Sequence, residues 1–467
     1  VKLRASEAAS LFPLLLLALG FSLFVATAAR VHAATEECST WVVGPGRIQR
    51  AFDALPRRDG GLWLVATPIG EEGRRRSHAE LSRWAAGGRL LWSRTIVDPV
   101  PIDIRFHLVS EPAGELVVVG QSGGAFRMWR FSEEGDLLWG QQLVADPVNP
   151  NEVVTADGKG GLYVCLHQPP TGRVRSDRPD EILEGATRIF HYSEQGRLLR
   201  SYTFNAVPEA SQPGEHWLPS GPLGIQNPVG IAAYPTGGIA VVGYFAGLSD
   251  LQSGVSHGAS LARLDYGWLS AGGQGMPQVK IFVDRWDESG QRLWTRLLGR
   301  MWNTLAFAVA TSSKGEVAIA GSSEWGACSN GRPLRPVGLR LFVAAFSGDR
   351  SSLGWCREMA ENLSIGPVAL CYGKDGGLWL LGEAKGPLNS SKPLSLGGRV
   401  FLAKLDSAGR LQWKRQLGDG TSRPFAHIER GPHGRPTVAW ATSALGSRYR
   451  SQEGEIVSVG LLPGALP

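Results

Sequence analysis

A chain of 467 residues admits two or three average domains or one large repeat architecture. Its 61 Gly, 29 Pro and 43% hydrophobic residues suit an all-β protein with many turns and a substantial core. The formal net charge is +6 with both signs interspersed, and no Lys/Arg stripe of nucleic-acid type occurs.

Residues 1–33 read as a secretory signal peptide. Lys2 and Arg4 precede an apolar run from Leu11 to Ala29, and Val31-His32-Ala33 ends it in a small-x-small site. The run is also long enough for an uncleaved membrane anchor, the single membrane contact expected. Thr35-Glu36-Glu37 before Cys38 lacks the apolar-small character of a lipid-attachment box. Residues 34–467 are then one domain, secreted, periplasmic or on the cell surface.

Seven apolar runs follow: Leu62–Ala66, Leu116–Val119, Leu162–Leu166, Ile239–Val242, Val317–Ala320, Leu378–Leu381 and Thr437–Trp440. Continuous rather than alternating hydrophobicity over four or five residues means strands buried on both faces. After each of the first six comes an alternating strand, a Gly turn and an aliphatic strand, usually with Trp. Gly88, Gly135, Gly290 and Gly409 stand four residues before Trp92, Trp139, Trp294 and Trp413. Gly196 stands four before Arg200, and the fifth repeat stretches from Gly348 to Trp355.

The interval from this Trp to the next apolar run holds a register. It is 23 residues from Trp139, Trp294 and Trp355, 23 from Trp413 to Pro436 just ahead of the last run, 24 from Trp92, and 39 from Arg200. A stacked repeat unit explains that constancy. The reading is a seven-bladed β-propeller of four-stranded antiparallel blades. Trp41 lies 21 residues before Leu62, in an outer-strand slot, whereas no Trp hairpin follows the strand near Glu455–Leu461. The N-terminal strand is therefore expected to complete the C-terminal blade and close the ring.

In this register the chain resembles the SBBP family of seven-bladed propeller repeats. Val400–Gly418 (VFLAKLDSAGRLQWKRQLG) is similar to its strand–turn–strand unit, and Gly237–Leu251 (GGIAVVGYFAGLSDL) to its other half. The likeness is clearest over 228–420, and several repeats lack the family's acidic residue after the outer strand. It implies an extracytoplasmic bacterial propeller with no active site to carry over.

The variable part of each repeat lies between the apolar run and the Trp position, from 23 to 55 residues, on one elaborated face. Arg74, Arg75 and Arg76, with Arg173, Arg175 and Arg178, could form a basic rim there, although loop charge offset by Asp177, Asp180 and Glu181 is the plainer account. Trp217, Tyr266, Trp268 and Trp325 could stack on sugars or anchor a protein, or pack down on the scaffold. Cys328 and Cys356 fall in one repeat and could pair in an oxidising compartment, or be buried thiols.

No G-x-S-x-G, H-E-x-x-H or phosphate loop occurs, and no metal ligands or cofactor are read from the chain. The nine His are scattered, His427 and His433 being the nearest couple, with a surface or turn role expected. Asp406 stands three residues before Gly409 rather than the two of sialidase turns, and no vicinal Cys pair of the quinone-dehydrogenase kind occurs. The function expected is binding of a protein or glycan partner by a monomer through the loop-rich face, without catalysis. The alternative is a propeller hydrolase, lyase or quinone-dependent dehydrogenase with its site at the loop-rich mouth of the channel.

Overall fold

The structure, a computed structural model, describes residues 39–43, 48–68, 78–97, 105–110, 114–122, 125–142, 151–168, 186–204, 225–246, 279–298, 304–323, 328, 340–348, 352–361, 369–385, 398–419, 422–430, 436–443 and 455–461. These form seven four-stranded antiparallel sheets. The first contains β2 (Ile48–Pro56), β3 (Leu62–Pro68), β4 (Ala79–Trp84) and β5 (Leu90–Val97). The second has β6 (Phe106–Ser110), β7 (Leu116–Ser122), β8 (Ala125–Phe131) and β9 (Leu137–Gln142). The third has β10 (Asn151–Ala156), β11 (Leu162–Gln168), β12 (Ala186–Tyr192) and β13 (Leu198–Phe204). The fourth has β14 (Ile225–Ala233), β15 (Ile239–Ala246), β16 (Val279–Trp286) and β17 (Arg292–Leu298). The fifth has β18 (Thr304–Thr311), β19 (Val317–Ser323), β20 (Arg340–Phe346) and β21 (Leu353–Glu361). The sixth has β22 (Ala369–Tyr372), β23 (Leu378–Lys385), β24 (Gly398–Leu405) and β25 (Leu411–Asp419).

The seventh sheet is assembled from both ends of the described chain. Its order is β26 (Ser422–Arg430), β27 (Pro436–Ser443), β28 (Glu455–Leu461) and then β1 (Ser39–Val43). β1 runs antiparallel to β28, with Ser39 opposite Leu461, Trp41 opposite Val459 and Val43 opposite Val457. Each sheet's first strand packs beside the next one's: β2 by β6, then β10, β14, β18, β22 and β26, with β26 beside β2 again. The architecture is an all-β propeller of four-stranded blades, its inner strands surrounding a channel.

Burial follows from that placement. The apolar runs are the second strands; Leu62 to Ala66 and Val317 to Ser323 are buried throughout. Fourth strands lie on the rim, and β9 is mostly exposed, Leu137 at 56%. Tight turns join first to second and third to fourth strands at one end, as at Arg57–Gly61 and Asp406–Arg410. The longer chain intervals, Pro68 to Ala79 and Ala246 to Val279, leave the opposite, loop-rich end.

The Trp register has a direct cause. An outer-strand Trp donates its indole N–H to a carbonyl in the next sheet's third-to-fourth-strand turn. Trp92 reaches Glu133 O at 3.1 Å, Trp139 Glu194 O at 3.1 Å, Trp294 Gly348 O at 3.5 Å and Trp355 Ser407 O at 3.0 Å. In the third sheet, Arg200 keeps the same link by donating to Glu288 O at 3.0 Å. The turn Gly supplies both the backbone and the space. Gly409 has φ +75°, and a Cβ there would overlap the Trp355 ring. Gly and Trp therefore hold their spacing because each packs against the other type in a neighbouring sheet.

Cys328 and Cys356 are joined by a disulfide with an S–S distance of 2.09 Å and Cα atoms 5.2 Å apart.

Candidate functional site in the central channel

The inner strands bond to a neighbour along one edge only, so the other edge presents backbone groups to the channel. Counting ladder pairs from the tight turn gives equivalent positions on all seven. The fourth pair is Asp53↔Val65, His107↔Val119, Val153↔Cys165, Gly230↔Val242, Ala308↔Ala320, Ala369↔Leu381 and His427↔Ala439. Three of these seven residues are ionisable, and they sit on strands that are neighbours in the circuit: β26, β2 and β6. The other four are small or apolar.

A cavity of ≈ 520 Å³ runs from this layer towards the tight-turn end. His107 and His427 form its polar wall, facing Val153, Gly230, Ala308 and Ala369. Glu429, two residues beyond His427, also lines it, and Lys314, Glu316 and Lys374 stand at the turn end. The lining mixes apolar side chains with convergent polar groups, and a concavity with a few placed polar groups is where a ligand usually binds.

Asp53 organises the polar wall from behind it, at only 3% exposure. His427 Nε2 lies 2.6 Å from Asp53 Oδ1, the Leu108 N–H donates to Oδ2 at 2.7 Å, and the Ala54 N–H donates to Oδ1 at 2.9 Å. One carboxylate thus joins the first, second and last inner strands and satisfies an edge N–H of β6. Burial alone would raise the Asp53 pKa. The charge and hydrogen bond of His427, the nearby His107 and the Leu108 N–H outweigh it and hold the pKa below the ordinary value.

The two imidazoles respond in opposite directions. Burial disfavours the charged form of His427, but the Asp53 charge and hydrogen bond prevail, with help from Glu429, and its pKa is raised. At His107 burial lowers the pKa; Asp53 opposes this, while His427 and Arg105 reinforce it, and the pKa stays below 6.5. The layer therefore sets an imidazole whose protonated form is favoured beside one whose neutral form is favoured. Among the described residues no group of three His, Cys, Asp or Glu is placed to hold a metal ion.

Arg74, Arg75, Arg76, Arg173, Arg175, Arg178, Trp217, Tyr266, Trp268 and Trp325, the loop residues singled out in the sequence, all lie outside the described residues. The surface or turn role expected of His427 is corrected: it stands within β26, at the channel, against Asp53. Motif searching missed this layer because its members come from three repeats. A columnar signal did exist. Asp53, His107, Val153, Gly230, Ala308, Ala369 and His427 each stand nine residues before the first residue of β3, β7, β11, β15, β19, β23 or β27.

No family model matches this chain, and no curated protein does. Solved structures with a similar course include the β-propeller domain of the Trilobed protease from Pyrococcus furiosus, at 9% identity and TM-score 0.42, covering 88% of this chain and 93% of that one. A polysaccharide lyase, an ulvan lyase, aligns at 10% identity and TM-score 0.46, covering 89% and 95%. The PQQ-bound aldose sugar dehydrogenase of Streptomyces coelicolor aligns at 15% identity and TM-score 0.36, covering 78% and 98%. At these values nothing of their chemistry carries over.

Proposed function

We propose that this chain is an exported seven-bladed propeller, closed by β1 on the last blade, that binds a protein or glycan partner without catalysis. In this reading the partner enters from the loop-rich face and reaches the channel layer of Asp53, His107 and His427. The blade count is supported by the seven sheets and their circuit of inner strands, and the closure by the β1–β28 ladder. The observation that carries the binding reading is a cavity with one ionisable wall and one apolar wall at a single ladder level. The fixed Gly–Trp register supports the likeness to SBBP repeats.

A glycan array and a pull-down with the intact protein, each run beside His427→Gln, test this. A partner retained by wild type and weakened at least tenfold in the variant is expected. Binding indifferent to His427 would move the site elsewhere.

A second reading, a propeller hydrolase, lyase or dehydrogenase, is favoured by one observation. Two imidazoles in one layer, around one ionised carboxylate, prefer opposite protonation states. A substrate screen would then give a turnover whose bell-shaped pH profile loses its alkaline limb in His427→Gln.

A further inference from the structure

Three inner strands, β2, β14 and β18, each carry a bulge at the same place, between the fourth and fifth ladder pairs. That place is immediately on the loop side of the ionisable layer. A bulge inserts one residue and re-aims its side chain. In β2 the inserted residue is Phe52, buried edge-on against Phe106 with ring centroids 5.2 Å apart. In β14 and β18 the inserted residues are Val229 and Phe307, and both stay half-buried and line the cavity. These two strands lie across the circuit of inner strands from β2. Phe307 therefore adds an aromatic ring to the apolar wall, on the side away from Asp53.

Towards the turn end the lining becomes polar without gaining a net formal charge. Lys314 and Lys374 are balanced by Glu316 and Glu429, while Thr155 and Ser313 add hydroxyls. The free edges of the inner strands contribute backbone N–H and C=O groups. A ligand that fills this space needs an apolar face against Phe307 and Val229, and groups that both donate and accept elsewhere. A bare aromatic molecule would cover the backbone groups without pairing them, which is costly. An ion would meet charges of both signs. A neutral pyranose meets each requirement: its C–H face packs on an aromatic ring, and its hydroxyls donate and accept. The ≈ 520 Å³ of the cavity is of small-ligand size.

We propose that Phe307 is the stacking platform of a carbohydrate site, where a neutral pyranose rests its C–H face on Phe307 and Val229 and turns its hydroxyls to the polar wall. This rests on the channel reading above and names the class of ligand. The pyranose has two sources, a free oligosaccharide and the end of a long glycan, and separate arms of the test read them.

Titration calorimetry of the intact protein with cellotriose, maltotriose, mannotriose, the matching soluble polysaccharides, an oligogalacturonate and indole tests the proposal. A neutral sugar should bind, about tenfold more weakly in Phe307→Leu and within about threefold of wild type in Phe307→Tyr. Melting curves of both variants should match wild type. Should Phe307→Leu not fold, Val229→Ala, which trims the same platform, is read in its place. Saturation-transfer NMR with irradiation of the aromatic protons should mark the C–H protons of one sugar face, and the mark should fade in Phe307→Leu. Tighter binding of the trisaccharide identifies a free oligosaccharide, and of the polysaccharide a glycan end; both support the site. Preference for the oligogalacturonate or for indole, or no binding by any neutral sugar, overturns it. Sugar binding that His427→Gln weakens but Phe307→Leu leaves unchanged defeats this inference while the channel reading stands. Binding indifferent to both residues defeats both.

Discussion

The seam where the two ends of the described chain meet and the covalently continuous part of the ring hold neighbouring sheets together differently. Around the continuous part the link is at the rim, where an outer-strand Trp or Arg donates into the next sheet's turn. At the seam no chain turn joins β28 to β1, and the Trp413 indole N–H, facing that sheet, is buried with no hydrogen-bond partner among the described residues. Between the last sheet and the first, the link lies at the channel, where Asp53 binds His427 across 374 positions of sequence. Where the first and last sheets of the described chain meet, a polar contact therefore lies at the centre, and it is also the core of the candidate site.

Removing β1 is the most severe way to break the comparison. Deleting residues 39–43 strips the fourth strand from the last sheet and takes fully buried Val43 out of the core. We expect failure to fold, or a loss on the order of 5 kcal/mol in denaturant unfolding, a large share of the stability of an ordinary domain. A near-unchanged midpoint would mean that the seam is not a structural joint.

The channel side of the seam is tested next. Asp53→Ala leaves the Leu108 N–H and the His427 imidazolium without their carboxylate, and should cost about 3–5 kcal/mol. Asp53→Asn, which retains an acceptor for the N–H, should cost less. The double variant Asp53→Asn, His427→Gln should lose less than the sum of the single changes, a coupling that a double-mutant cycle reads directly.

Buried carboxylates on and off the seam should respond to pH with opposite sign. Asp53, held below 3.8, contributes stability that is present above that value and lost as pH falls through its folded pKa. Asp284, in β16 opposite Thr295, is pushed up to about 7 by burial, with Thr295 and Arg292 pulling the other way. Between 3.8 and about 7 the unfolded chain ionises Asp284 while the folded one keeps the proton, so stability falls as pH rises through that window. Asp284→Asn should remove this slope, an effect on the order of 4 kcal/mol at its alkaline end. The histidines add a second opposed pair. The raised His427 loses its contribution as pH rises past 6.5, and the lowered His107 makes stability fall as pH drops below 6.5. Denaturant midpoints from about pH 2 to 8 would show these slopes; parallel curves for wild type and Asp284→Asn would contradict the account.

Much of the architecture is legible in the sequence, because second strands buried on both faces and the Gly–Trp spacing are repeated local signals. The channel layer is less legible. Asp53, His107 and His427 are unremarkable within their own strands, and their meaning appears only when the residue nine places before each second strand is read as a column. What no column reveals is which neighbour compensates a buried charge. Asp53 and Asp284 are chemically identical, yet one meets an imidazole and two backbone N–H groups while the other is surrounded by a sheet interior.

The finest test of the comparison uses tryptophans at equivalent rim positions. Trp355→Phe removes an indole donor that holds Ser407 O at 3.0 Å, whereas Trp413→Phe removes one with no partner among the described residues. Both lose similar apolar area, so the difference isolates the hydrogen bond. A net amide-type bond contributes about 1 kcal/mol, and Trp355→Phe should be more destabilising than Trp413→Phe by about that amount. The sign of this difference matters more than its size. Equal losses would mean that Trp413 finds another acceptor at the seam, and that the rim there is bridged as it is elsewhere. The channel pair would then be free to serve binding alone, and Asp53→Ala should prove milder than the figure above.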